Sequence, residues 1–570
     1  MSTRLTLVLI AVAGFLIRLY ALLGAGGPLG AASSYDDSVY FSASALLLRG
    51  VLPYRDFVFV HPPGILYFLG IVSWLADPAH AFAAARVLMC AVGGVNVLLV
   101  GLLATRAAGP FGGIVAAALY AIYPDAVSAE RSAYLEPVLN LACLSAMLAR
   151  ERRPLLGGYL CGAACAVKLW GGIWIIAALA TMKRDRLRFL LGAIAAGIVF
   201  VVPIALPALD AFVSQTLVFQ TSRPPDGTLS LLARLREIFL SGHAVASLLA
   251  LIGLFRREAR VFAIAMLLTI AGFLFSSSYW TSYNAHLAAS MCVLAGVTCG
   301  AAGSQPAGWR SFGGLRARRS TGTVLMALAL IDARAIFRRS VEMHVNVPER
   351  TFAFDPTWSL AAHHLPPHND GAPVIVDSYG AMLLEATKGG RFKDTGSAFQ
   401  SRVPQRAIRV RLEASDYVLL GWRGNWQLNE DGRAWFASHF ECITPEDGDL
   451  CLWKKRARPL AHAPSIADQT IQFVDGWYGV EGVPPKSWRW MGRRSVLKLP
   501  GAGVVRLQLK GDARLAFEMQ GNALVITADR TFVPAQVRRR SSDTRELSVM
   551  LTRLTWQRAD GGGASTSSPR

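Results

Sequence analysis

Residues 5–41 read LTLVLIAVAGFLIRLYALL, then GAGGPLGAASS, then YDDSVYF: an apolar run from Leu5 to Leu23, a small-residue connection, and adjacent carboxylates at Asp36 and Asp37. A membrane-crossing helix needs ~20 predominantly apolar residues, so this stretch makes lipid the solvent of the amino-terminal end. The small residues Gly24 to Ser34 would also suit cleavage of a signal peptide, but further apolar runs downstream make a retained helix the better reading.

Those runs lie near Leu5–Leu23, Ala81–Leu103, Phe111–Tyr123, Ala133–Leu148, Leu155–Val167, Trp170–Met182, Phe189–Leu209, His243–Phe255, Val261–Phe275, Leu287–Ala302 and Thr323–Phe337. They predict an α-helical polytopic membrane domain of about eleven spans, several of them short. The chain of 570 residues is 53% hydrophobic and 17% charged, too apolar for a soluble enzyme of ordinary composition. Its net charge of +20 does not point to nucleic acid, because the basic residues sit in short clusters between the apolar runs. The clusters are Arg4, Arg106, Arg150 with Arg152 and Arg153, Lys183 to Arg188, Arg256 with Arg257 and Arg260, and Arg310 to Arg319. Placing them all in the cytoplasm puts Asp36-Asp37, the loop from Pro124 to Arg131, Lys168, Tyr279 to His286 and everything after Ser340 on the opposite side. Ionisable residues gathered at one membrane face suggest a site.

Beyond residue 340 the pattern changes. Residues 341–457 read as a small α/β domain, with strands at Pro373–Val376 and Asp416–Leu420 and a helix at Ala381–Thr387. Residues 468–557 alternate with the period of half-buried strands and predict a C-terminal β-sandwich, followed by a disordered Gly- and Ser-rich tail over 558–570. Cys442 and Cys451 flank the turn Thr444-Pro445-Glu446-Asp447-Gly448 and suit a disulfide across a hairpin if the domain is outside the cytoplasm. The other cysteines lie in apolar runs and read as small buried hydrophobes.

The loop after the first span continues Arg49-Gly50-Val51-Leu52-Pro53-Tyr54-Arg55-Asp56-Phe57 and His61-Pro62-Pro63-Gly64. An acidic pair at a membrane surface can divide into a general base and a group that holds a cation or the acceptor, though alone it reads better as a hydrated loop. DDSVY, GVLPYRDF and HPPG in that order resemble the first loop of the polytopic GT-C glycosyltransferases, in the protein-mannosyltransferase and aminoarabinose-transferase branch. The resemblance matches Asp36, Asp37, Tyr40 and His61-Pro62-Pro63; His61 stands where that family often has Lys.

The resemblance implies an inverting transfer of a sugar from a polyprenyl-phosphate donor, with Asp36 as base and Asp37 assisting. It implies binding roles for Tyr40, His61, Arg131, Glu136, Lys168, Tyr283 and His286. Bland readings stand beside these: Glu136 stabilising a helix amino terminus, Lys168 snorkelling to the interface, Tyr283 and His286 in an aromatic belt. The acceptor is expected to be an extracytoplasmic glycan, lipid or protein, and the setting a bacterial cytoplasmic membrane. A divalent cation is possible, with no ligand set defined. The C-terminal Phe473-Val474-Asp475-Gly476-Trp477 and Trp488-Arg489-Trp490 look like a module found with bacterial surface-polysaccharide enzymes; its Trp residues read as core, with stacking on sugars left open. A flippase of lipid-linked sugars and an inactive glycan-binding scaffold remain alternatives.

Overall fold

The structure is a computed structural model. It describes residues 2–30, 35–223, 230–301, 336, 347–388, 405–444, 451–460, 471–483, 486–501, 503–534 and 545–558. The chain divides into two compact units, one of Met1–Glu349 with Asp355–Thr387, the other of Arg350–Phe354 with Lys388–Arg570.

The first unit is helical. It contains α1 (Thr3–Leu23), α2 (Tyr35–Leu47), α3 (Gly64–Leu75), α4 (Ala81–Ala121), α5 (Pro124–Glu130), α6 (Leu135–Ala149), α7 (Pro154–Val167) and α8 (Gly171–Thr181). There follow α9 (Arg186–Phe200), α10 (Val202–Ala205), α11 (Leu209–Val213), α12 (Phe219–Ser222), α13 (Leu231–Leu240), α14 (Ala244–Gly253), α15 (Arg260–Phe275) and α16 (Asn284–Ala301). α1 starts where Ser2 accepts from the Leu5 amide at 3.3 Å, an N-cap at the edge of the apolar run.

α4 is two arms. Ala108 and Gly109 leave helical geometry ahead of Pro110, and Gly109 takes φ +78°, a conformation only glycine adopts at little cost. The arms fold back together, since a Cβ on Gly101 would lie 3.0 Å from that of Ala117. The runs Ala81–Leu103 and Phe111–Tyr123 correspond to these arms.

α7 and α9 pack through small residues spaced one turn apart. A Cβ on Gly162 would lie 2.8 Å from Ala193 Cα, so any side chain there would drive the backbones apart.

Among the described residues, four helices are long and apolar enough to cross a membrane: Thr3–Leu23, Ala81–Ala121, Arg186–Ser222 and Arg257–Phe275. Pairing α5 with α6 across a 109° bend, and α13 with α14 across a 91° bend, raises the number to six. The chain is thus a multi-pass helical membrane protein with an additional soluble region. The expected total of about eleven is not reached by length and composition. α7 and α8 are separately too short to qualify, and the run Thr323–Phe337 lies, but for residue 336, outside the described residues.

Residues 355–387, read from sequence as soluble domain, pack with the helical unit. The strand expected at Pro373–Val376 does not form. Val374 and Val376 join the apolar core of the helical unit instead, so their hydrophobicity is satisfied without a ladder. The helix expected nearby does form, over Ser378–Lys388.

The second unit holds two sheets. β1 (Thr351–Ala353), β2 (Tyr417–Leu419), β3 (Phe440–Cys442) and β4 (Leu452–Lys455) line up as β1-β2-β4-β3, with β1 parallel to β2 and the other pairs antiparallel. A disulfide joins Cys442 at the end of β3 to Cys451 just before β4.

β5 (Gln472–Val483), β6 (Lys486–Lys498), β7 (Gly503–Lys510), β8 (Leu515–Gln520), β9 (Ala523–Ala528) and β10 (Met550–Arg558) connect as one antiparallel sheet, not the two of the expected sandwich. β6 gives one edge to β5 and divides the other, pairing Trp490 with Met550 of β10 and Arg494–Lys498 with Thr527–Ala523 of β9. A strand shared in this way curls the sheet round a core that includes Met491, Leu497, Ile526 and Leu551. Trp477 packs against that core, its indole N–H donating to the Val496 carbonyl at 3.1 Å. The segment from residue 559 onward lies outside the described residues.

Candidate active site

Asp36 and Asp37 occupy the first turn of α2, where successive side chains point about 100° apart. They therefore part company. Asp37 is fully buried, and its Oδ2 accepts from Arg86 Nε at 2.8 Å. Arg86 also donates from Nη1 to the carbonyls of Pro28 (3.0 Å) and Gly30 (2.8 Å), and its guanidinium lies over the Phe82 ring. Asp36 is exposed and, one turn before Tyr40, shares its face of the helix. The Tyr40 phenol is held well above its usual pKa by burial first and then by the charge of Asp36.

Tyr40 meets His61, hydroxyl to Nε2, at 3.2 Å. The loop bearing His61 is pinned along its length. Tyr54 takes φ +69° and donates its hydroxyl to the His61 carbonyl at 2.6 Å; Asp56 Oδ2 accepts from the Leu52 amide. From the long helical stretch that starts at Arg186, Gln215 accepts from the Phe59 amide at 2.9 Å and donates to the Tyr54 carbonyl, while Gln220 donates to the Val60 carbonyl at 2.9 Å. Gln215 lies within a π-helical turn, Ser214–Val218.

Burial pushes the His61 imidazole well below its usual pKa, and the positive charges of Lys168 and Arg223 push it the same way. His61 is neutral at ordinary pH, where the Lys of the related motif would be charged.

Lys168 follows the end of α7, and its Nζ donates to Glu136 Oε1, in the first turn of α6, at 2.6 Å. The same ammonium sits 4.1 Å from the centre of the Tyr283 ring. Both charges are buried. The structure thus brings Asp36, Tyr40, His61, Glu136, Lys168 and Tyr283 together, Asp36 and Glu136 both acting electrostatically on Tyr40.

Two other expected site residues take their hydrogen-bond partners outside this group, although the charge of Lys168 reaches His286. Arg131 donates to the Ala21 carbonyl at 2.7 Å and feels the charges of Asp37 and Arg86. His286 accepts at Nε2 from the Trp174 indole at 3.1 Å, so its proton is on Nδ1, which donates to Asn140 Oδ1 at 2.8 Å.

His286 is the end of a buried polar chain that sequence reasoning missed. Asn140 donates to the Tyr120 hydroxyl, Tyr120 and Asn96 donate to Glu130 Oε1, and Arg18 pairs with Glu130 Oε2 at 2.6 Å. Arg18 and Glu130 are both fully buried. The signal available was an arginine inside an apolar span, which requires a partner.

No group of three His, Cys, Asp or Glu side chains that could hold a metal occurs among the described residues. The buried carboxylate of Glu136 is paired with Lys168.

No protein-family model matches the chain, and no curated protein matches it. Solved structures do. The crystal structure of ArnT from Cupriavidus metallidurans bound to undecaprenyl phosphate superimposes with a TM-score of 0.51 at 13% identity, covering 78% of this chain and 97% of that one. The same protein in the apo state gives 0.51 at 12% identity over the same shares. The Archaeoglobus fulgidus oligosaccharyltransferase in its apo form gives 0.46 at 11% identity, covering 80% of this chain and 75% of that one. The protein is a polytopic membrane protein that shares the fold of that ArnT structure. It matches the Cupriavidus ArnT structure along nearly that protein's whole length.

Proposed function

We propose that this protein transfers one sugar from a polyprenyl-phosphate donor to an acceptor outside the cytoplasm, with inversion at the anomeric carbon and with Asp36 as the base. The observation that carries this reading is the division of the acidic pair. Asp37 is consumed by Arg86 in the core, while the exposed Asp36 faces the Tyr40, His61 and Lys168 group. A carboxylate that must take a proton from an acceptor hydroxyl needs to be reachable and rigidly carried, and the buried pair one residue on supplies the rigidity.

In the proposed step the acceptor oxygen loses its proton to the Asp36 carboxylate and forms a bond to the anomeric carbon. The bond from that carbon to the phosphate oxygen breaks, and polyprenyl phosphate leaves with the electron pair. Lys168 favours the developing phosphate charge, its ammonium being fixed in advance between Glu136 and Tyr283. Neutral His61 contributes a hydrogen bond and no charge. The apolar helices would accommodate the isoprenoid chain; the ArnT structure with the same fold holds undecaprenyl phosphate.

The acceptor is taken to be a glycan, lipid or protein at the outer face of a bacterial cytoplasmic membrane, with the sheets of the second unit on that side. The disulfide Cys442–Cys451 supports that placement, since such bonds persist in oxidising compartments.

The reading is tested with the full-length protein in liposomes supplied with radiolabelled polyprenyl-phosphate sugars. Release of free polyprenyl phosphate coupled to labelling of an acceptor supports transfer. Movement of intact labelled lipid between leaflets without bond cleavage supports transport and contradicts it.

A further inference from the structure

The first turn of α2 is held from a second direction, by a segment 342 residues further along the chain. Tyr35, the residue immediately before Asp36, is buried, and its hydroxyl donates to Asp377 Oδ1 at 2.8 Å. It accepts in turn from the Tyr379 amide at 3.1 Å and lies 3.4 Å from Ser378 Oγ. Asp377 Oδ1 also accepts from the Gly380 amide at 2.7 Å, which makes it the cap of the helix Ser378–Lys388. One carboxylate oxygen therefore starts that helix and grips the tyrosine beside the base. Asp377 lies in the same electrostatic field, since its charge acts on Tyr40 together with those of Asp36 and Glu136.

We propose that Asp377 is a positioning residue for sugar transfer: through the Tyr35 hydroxyl it fixes the first turn of α2 and hence the direction of the Asp36 carboxylate. The proposal rests on the reading of Asp36 as the base. Asp37 and Arg86 anchor the buried side of the turn, and Asp377 and Tyr35 anchor its start. Held at both points, the turn leaves Asp36 little freedom beyond its own side-chain rotations. Small misplacements of a reacting group can cost about a hundredfold in rate.

The cap and the grip can be separated experimentally. Tyr35→Phe leaves Asp377 bonded to the Gly380 amide and removes the hydroxyl's bonds to Asp377 and from the Tyr379 amide. Asp377→Asn retains an oxygen that accepts from both partners, and Asp377→Ala removes both bonds. Donor turnover by the full-length protein is measured with each variant, beside Asp36→Asn and beside melting temperature.

The expected result is a kcat lowered about tenfold or more in Tyr35→Phe and Asp377→Ala, donor KM within about twofold of wild type, and kcat restored in Asp377→Asn. Unchanged kcat in Tyr35→Phe overturns the proposal, leaving Asp377 a helix cap. So does a kcat that falls only as melting temperature falls, or an Asp377→Asn variant as slow as Asp377→Ala. Full turnover in Asp36→Asn would instead remove the base itself, a failure distinct from that of the latch.

Discussion

Asp36 and Asp37 are neighbours in sequence with opposite environments, and substitution separates them. Asp37→Asn takes one charge from a fully buried pair and leaves Arg86 uncompensated, a loss expected to cost about 3–5 kcal/mol. Asp36→Asn alters an exposed side chain and is expected to leave melting unchanged within about 0.5 kcal/mol. Thermal unfolding in one detergent compares the two, and equal melting would contradict the division of roles. His61 gives a pH test. Its folded-state pKa lies below the unfolded value of about 6.5, so the unfolded state takes up the proton first. Stability linked to His61 is present above pH 6.5 and lost as pH falls below it. Melting of wild type is therefore expected to decline more steeply on acidification from pH 7 to 5 than that of His61→Gln; parallel declines would show that His61 is not held neutral. Asp36, Asp37, Tyr40 and Lys168 stood out in the sequence because ionisable groups at a membrane face are costly and because the order of DDSVY and HPPG resembles a known loop. Gln215, Arg18 and Glu130 did not, because a single polar residue in an apolar run does not reveal its partner.

At the scale of elements, the apolar runs marked most helices, and glycine spacing accounts for how closely some of them pack. Gly162 is the sharpest case. Leu at this position would force α7 from α9 and is expected to destabilise by about 1–3 kcal/mol or prevent folding, read as lost monodisperse yield and lowered melting. Retention of both would show that the two backbones are not in contact there. The loop from Leu52 to His61 depends on amides from a distant helix, so Gln215→Ala is expected to raise donor KM several-fold with a smaller change in kcat. A fall in kcat alone would contradict a role in shaping the binding side. Hydrophobicity misled at Pro373–Val376, where valines fit a strand as well as an irregular segment packed on helices. What decides between those is a partner strand, which no local pattern specifies.

For the whole molecule, the division into a membrane-embedded helical part and a soluble remainder was written in composition. The span count was less legible, since the bends at α5–α6 and α13–α14 turn apolar length into broken or re-entrant paths. Strand alternation in the C-terminal region was also plain, but alternation does not reveal that β6 shares one edge between two neighbours and so closes a single curled sheet. The extracytoplasmic placement proposed for that region predicts that Cys442 and Cys451 resist alkylation in intact cells until a reductant is added; labelling without reductant would place them in the cytoplasm. The central proposal is that an exposed carboxylate on a doubly anchored turn takes the acceptor proton. The direct measurement is single-turnover release of polyprenyl phosphate by purified wild type and Asp36→Asn at matched folded fraction. A loss of about 10²–10⁴-fold with donor binding retained is the predicted result, and release at the wild-type rate would contradict it.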